Sequence, residues 1–267
     1  MKKLLFFFTL FFLLTLLSSH EFWLSPDKFI YNRGEKINIR FFVGENFEGE
    51  NWKGNNEKIQ TLKLYYGGVS DDLSKCLSEE KGDSAELTIL DEGTHMIAFN
   101  STNSFIEIDT SIFNTYLEDD GLYNAIEYRK QHNETDSMGR ELYQRCAKTL
   151  IQVGNTKAKD NAYSVLTGMP VDVIPLSNPY SLKNKDSLTV KILFRNTPLA
   201  HALIKIWHRK NDKTEKTEFV SDENGQIRFP VSVSGKWMVS VVKMERLDMD
   251  EKAQWQSYWG NLTWGYD

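Results

Sequence analysis

Thr217-Glu218-Phe219-Val220-Ser221-Asp222-Glu223-Asn224-Gly225-Gln226-Ile227-Arg228-Phe229 decides the fold class. Two short runs with alternating character flank a polar reversal, and Asn224-Gly225 supplies residues that tolerate positive φ at a tight turn. That is the signature of antiparallel strands with one face toward a core. The same rhythm spreads outward. Upstream stand Val171-Asp172-Val173-Ile174-Pro175, Leu188-Thr189-Val190-Lys191-Ile192-Leu193-Phe194 and Leu203-Ile204-Lys205-Ile206-Trp207. Downstream come Gly235-Lys236-Trp237-Met238-Val239-Ser240-Val241-Val242 and an aromatic tail from Trp255 to Tyr266. About seven strands in about 100 residues is the size of an Ig-like or transthyretin-like sandwich, predicted here over 168–267.

Nearer the start, Ile37-Asn38-Ile39-Arg40-Phe41-Phe42-Val43, Thr61-Leu62-Lys63-Leu64-Tyr65-Tyr66, Ala85-Glu86-Leu87-Thr88-Ile89-Leu90 and Met96-Ile97-Ala98-Phe99 alternate in the same way between Gly and Asn/Asp clusters. They predict a first antiparallel β-sandwich within 20–154. From Asp109 the spacing turns helix-like, through Ser111–Leu117 and Gly121–Gln131. A third helix is expected from Asp136, with Leu142, Cys146 and Leu150 on one face and Arg140, Arg145 and Lys148 on the others. The expected architecture is mainly β: two antiparallel sandwich domains, a helical insert over about 110–152, and a polar linker at 155–167.

The chain opens on Lys2-Lys3 and an apolar run from Leu4 to Leu17, then Ser18-Ser19-His20-Glu21-Phe22-Trp23-Leu24. A basic start, a short apolar run and small residues at its end have the build of a cleaved secretory signal peptide over 1–19. The run falls short of the about 20 residues that span a bilayer, so the mature chain is expected to be periplasmic or secreted and not membrane-spanning. A cut after Ser19 makes His20 the first mature residue; a cut after Ser18 is the alternative. Losing Lys2 and Lys3 moves the formal charge from −5 to −7, and an acidic chain with no basic tract argues against nucleic-acid binding. Two cysteines, Cys76 and Cys146, lack CxxC spacing; export permits a disulfide, while a polar loop against an expected helix favours two separate thiols.

An N-terminal histidine offers one ion its α-amine, with a pKa of about 8, and its imidazole. That chelate suits Ni, Co or Cu, and Glu21 is placed to add an oxygen or to orient a ring. The five histidines, His20, His95, His132, His201 and His208, form no HxH or HExxH pair, so further ligands must be assembled by the fold. His95 and His201 are the candidates. His201 and His208 flank one strand on opposite faces, and ordinary packing or surface roles compete for each of these histidines. Enzyme chemistry finds no GxSxG, P-loop or dinucleotide fingerprint, and Glu118-Asp119-Asp120 reads as a charge run at a helix end. The rings of Trp52, Tyr65, Tyr66, Trp207, Trp255, Tyr258 and Trp259 admit a second class of function, stacking on sugars, although such rings more often pack cores.

Several short motifs occur in order: His20-Glu21-Phe22-Trp23-Leu24, Gly44-Glu45-Asn46-Phe47-Glu48-Gly49, Phe113–Leu122, Tyr143–Lys148, Pro175–Tyr180, Asp222–Gly225, Gly235-Lys236-Trp237 and Trp255–Trp259. Together they resemble a family of bacterial exported proteins of unknown function, often labelled the periplasmic component of a cobalt/nickel uptake system. The resemblance runs over nearly the whole mature chain. It departs at Ser19, where alanine is common, and at Trp264, where phenylalanine is more usual. It implies a non-enzymatic protein that binds a divalent transition metal and hands it to a membrane uptake transporter. The alternative expectation is an envelope module that recognises glycan or protein without a metal.

Overall fold

The computed structural model describes residues 21–79, 81–155 and 160–266; the signal peptide expected over 1–19 and His20 lie outside them. The chain begins with β1 (Glu21–Pro26), β2 (Ile30–Tyr31), β3 (Lys36–Glu45) and β4 (Glu48–Asn51). It continues through β5 (Ile59–Tyr66), β6 (Val69–Asp72), β7 (Ser84–Thr88), β8 (Gly93–Ser101) and β9 (Ser104–Ile108). Two helices, α1 (Thr110–Asp119) and α2 (Tyr123–Gln131), lead into the long β10 (Gly139–Val153). The second half holds β11 (Val171–Pro175), β12 (Ser187–Phe194), β13 (Thr197–Pro198), β14 (Leu203–Lys210) and β15 (Lys213–Val220). It ends with β16 (Gln226–Pro230), β17 (Lys236–Arg246) and β18 (Trp255–Gly265).

The mainly β, sandwich-type fold is as the alternation predicts. The strands make three sheets: β1-β3-β4 with β7 on β3, a ten-stranded sheet ordered β15-β14-β17-β18-β10-β8-β5-β6 with β2 and β9 also on β10, and β11-β12-β13 with β16 on β12. The large sheet is shared by both halves of the chain, because β10 and β18 pair in parallel from Glu141–Trp255 to Thr149–Thr263. One face of it carries the first sheet, burying Phe22, Ile39, Phe41, Ile97, Phe99 and Ile151. The opposite face carries the third sheet, burying Val173, Val190, Ile192, Ile206, Val239 and Trp264. The Asn224-Gly225 reversal joins β15 to β16, with Gly225 at φ +69°.

One expectation is corrected. No helix starts at Asp136: the helical insert ends with α2, and Gly139–Val153 is a strand. Leu142, Cys146 and Leu150 do share a face, but a spacing of four is also a multiple of the strand period of two. Odd residues Ala147, Ile151 and Val153 pack into the first core, while Cys146 and Leu150 pack into the second. β10 is thus covered on both faces, and a strand buried on both faces loses the alternation that would have marked it. The helices α1 and α2 instead cap β17 and β18 through Phe113, Tyr116, Leu117, Leu122 and Ala125 against Val242, Met244 and Trp255. Cys76 and Cys146 are both free thiols. Among the described residues, no helix is long and apolar enough to cross a membrane.

Candidate functional site

β1 is where the chain enters the fold, and nearly all of it is buried. Its outer edge pairs with β3, from Glu21–Gly44 to Pro26–Ile39. Toward the large sheet its carbonyls are met by side chains: Asn261 donates an amide N–H to Phe22 O, and Thr263 Oγ1 donates to Leu24 O at 3.1 Å. Both residues sit on β18, so the first strand is held by partners some 240 residues later in sequence.

Glu21 lies at the start of this strand, 5% exposed. Its carboxylate accepts from Ser240 Oγ at 2.8 Å, and Ser240 Oγ in turn accepts from Trp207 Nε1 at 3.1 Å. Burial pushes the Glu21 carboxyl up to about 7; the charge of Asp120 adds to the rise, and Lys205 opposes it. Asp120, just past α1, forms a buried ion pair with Lys205 on β14. Burial works against the Lys205 charge, but Asp120, with Glu21 and Glu218 adding to it, keeps the ammonium above its ordinary value. On β10, burial likewise pushes Glu141 up to about 7; it accepts from the Ser257 hydroxyl and from Tyr116 OH at 3.3 Å. Two carboxyls that hold a proton near neutrality thus stand inside the layer between the large sheet, β1 and α1.

The predicted metal ligands stand in separate places. Glu21 spends its carboxylate on Ser240. His95 is 1% exposed on β8, with Nδ1 3.1 Å from Gly93 O and its ring stacked on Tyr66 at 5.6 Å. It lines a cleft of about 270 Å³ with Tyr66, Asp91, Glu92 and Asp160. The Phe22 ring lies 4.7 Å from the Phe99 ring, and His95 is four residues farther along the same strand. At about 3.3 Å per residue that is about 13 Å, too far for Glu21 and His95 to share an ion. His201 sits in the turn before β14 at φ +56°, with Nε2 3.1 Å from Glu223 and both side chains exposed. His208 stacks on Trp237 at 3.9 Å, and His132 stacks on Tyr128. Among the described residues, no group of three or more His, Cys, Asp or Glu side chains is arranged to hold a metal. His20 lies outside the described residues.

The aromatic residues are mostly structural. Trp207, Trp255 and Tyr258 are buried, and Trp52 packs edge-on against Phe22 and Phe99. Sequence reasoning missed two buried charges, Asp120 and Lys148, and the half-buried Arg145. Asp120 was expected on a solvated helix end, and Arg145 and Lys148 on the outer faces of a helix. Lys148 is instead fully buried in an ion pair with Asp172. The signal was present in Cys146-Ala147-Lys148-Thr149-Leu150-Ile151, since one lysine inside an apolar run needs a buried partner.

The chain belongs to the family described as Domain of unknown function (DUF4198), whose model matches residues 17–245. No curated protein sequence matches it significantly. Among solved structures it is similar to a DUF4785 family protein from Legionella pneumophila, with 10% identity and a TM-score of 0.25. That match covers 81% of this chain and 48% of the other, so the chain spans about half the length of the Legionella protein. A cytokine receptor complex is matched at 10% identity and TM-score 0.22, over 91% of this chain and 97% of the other. Three N-terminal domains of the bacteriophage RB49 outer capsid protein Hoc are matched at 9% identity and TM-score 0.21, over 91% and 59%. Scores this low carry no argument about function.

Proposed function

We propose that this is an exported, non-enzymatic binding protein that captures a divalent transition metal, nickel, cobalt or copper, at the His20 terminus freed by leader cleavage. From there the ion passes to a membrane uptake system. The observation that carries the reading is the place of His20, directly after the leader and one residue before a strand whose first residue is already buried. A chelate built there would be tethered to a rigid element. The donors are the amine and imidazole of His20 themselves. The remaining positions are left for donors from outside, because Glu21 faces Ser240 and neither His95 nor His201 converges with it. The cobalt/nickel label attached to the resembling exported proteins points the same way. The alternative, glycan recognition by a strip of rings, is disfavoured by the burial of Trp207, Trp255 and Tyr258.

The test is a calorimetric titration of Ni, Co and Cu ions into protein whose mass shows that it begins at His20, beside a form with one extra N-terminal glycine. One-to-one binding that is lost in the extended form supports the terminal chelate. Equal or absent binding in both sinks it and leaves protein recognition in the cell envelope as the reading to pursue.

A further inference from the structure

β15 is the end strand of the ten-stranded sheet. One side of it pairs with β14, from Leu203–Val220 to Lys210–Lys213, without a bulge. Among the described residues no strand pairs with its other side. The turn into it holds Asn211 at φ +48° and Asp212 at φ +59°, the two left-handed residues of a type I′ hairpin. A hydrogen-bonded pair closes such a turn, here Lys210 and Lys213, so the backbone groups of Lys213, Glu215, Thr217 and Phe219 face β14. Ser221, in the same phase, donates its N–H to Ala202 O at 3.0 Å. The N–H and C=O groups of Thr214, Lys216, Glu218 and Val220 therefore point outward from the sheet edge. Nothing overlies that edge among the described residues: Glu215, Lys216, Thr217, Glu218 and Val220 are all exposed.

Open edges are ordinarily guarded by shortness, proline, a bulge or repelling lysines. β15 runs from Lys213 to Val220 with no proline, and its charges are of both signs. Lys213-Thr214-Glu215-Lys216-Thr217-Glu218 repeats Lys-Thr-Glu and so complements itself. Symmetry selects the register. Opposed residues of an antiparallel pair lie on one face, so a two-fold axis relating two copies passes through a residue. An axis at Glu215, Lys216 or Glu218 sets like charges against each other. An axis at Thr214 or Phe219 meets the turn or the end of the strand after a single further residue. An axis at Thr217 keeps 214–220 paired. It sets Lys216 against Glu218 of the second copy, and Glu218 against that copy's Lys216. Val220, 64% exposed, falls beside Thr214 of the second copy. Glu215 falls opposite Phe219 and keeps its own Lys213 at 3.0 Å.

We propose that β15 binds a second copy of this chain, antiparallel about a two-fold axis at Thr217, joining two ten-stranded sheets into one. The outward groups of Thr214, Lys216, Glu218 and Val220 then make about eight backbone hydrogen bonds across the axis. Lys216 and Glu218 already stand 3.0 Å apart within one chain, both partly exposed, so the pairing gathers four charges of alternating sign. The contact needs no metal at His20.

Sedimentation equilibrium of the chain from His20 to Asp267, over the micromolar range, should show a reversible dimer. Glu218→Lys opposes lysine to lysine at both sites, and Lys216→Glu opposes glutamate to glutamate. Each should weaken the dimer by about tenfold or more, with circular dichroism showing the fold intact. Mixed in equal amounts, the two variants match lysine to glutamate again. They should form a heterodimer within about threefold of the wild-type affinity. A wild type that stays monomeric at every concentration overturns the proposal, as it does if the edge captures an extended peptide instead. A dimer unmoved by either reversal, or no heterodimer from the two folded variants, overturns it equally.

Discussion

Lys148 on β10 and Asp172 on β11 form an ion pair with side chains 0% and 4% exposed, and it joins the shared sheet to the third sheet. The other Asp172 oxygen accepts from Thr167 N at 2.8 Å and Thr167 Oγ1 at 2.9 Å. Removing one partner of such a pair strands a buried charge at a cost of about 3–5 kcal/mol. Lys148→Met should lower stability by that amount, read from the urea midpoint. Lys148→Met combined with Asp172→Asn should recover part of the loss, since Asn keeps an acceptor for Thr167.

Glu21 and Glu141 give the protein a pH signature. Both carboxyls sit at about 7 in the fold, above the usual value near 4.5 of an exposed Glu. Between those limits the folded state binds more protons than the unfolded chain, so their contribution to stability falls as pH rises through the window and levels off above it. Urea unfolding at pH 5 and pH 8 should show the wild type losing stability on going to pH 8. Glu21→Gln with Glu141→Gln should lose less, by on the order of a few kcal/mol. Equal pH dependence in the two proteins would count against the assignment.

At Gly225 the turn needs φ +69°, and a Cβ there would come within 2.5 Å of Ile192 O and 2.9 Å of Leu199 N. Backbone atoms of β12 and of the segment just after β13 cannot move aside cheaply. Gly225→Ala should cost about 2 kcal/mol or more, the left-handed penalty plus the clash. A thermal melt reads it.

The separation of the histidines predicts a negative result. His201→Ala removes only an exposed contact with Glu223, so metal affinity at His20 should stay within about twofold and stability within about 0.5 kcal/mol. A large loss of affinity would mean that His201 reaches the ion after all.

Legibility in the sequence followed burial. Strands with one wet face, such as Lys36–Glu45 and Gln226–Pro230, kept their alternation and were readable. α1 and α2 were readable from their i, i+4 apolar residues. β10 was not, because sheets cover it on both sides and its charges turn inward to partners distant in the chain. The same cause hid Lys148 among apparent surface charges, and Asp120 was hidden by its partner Lys205, 85 residues later.

By itself the sequence determined the mainly β class, the turn at Asn224-Gly225 and the two helices that follow Asp109. These rest on local sterics and on short-range periodicity, which a chain carries in neighbouring residues. Only the tertiary structure decided that β10 and β18 fuse both halves into one sheet, and that Glu21 is sealed against Ser240. It alone separated Glu21, His95 and His201. Which faces meet is set by the shared burial of apolar surface from distant segments, and the environment of each charge follows from that packing.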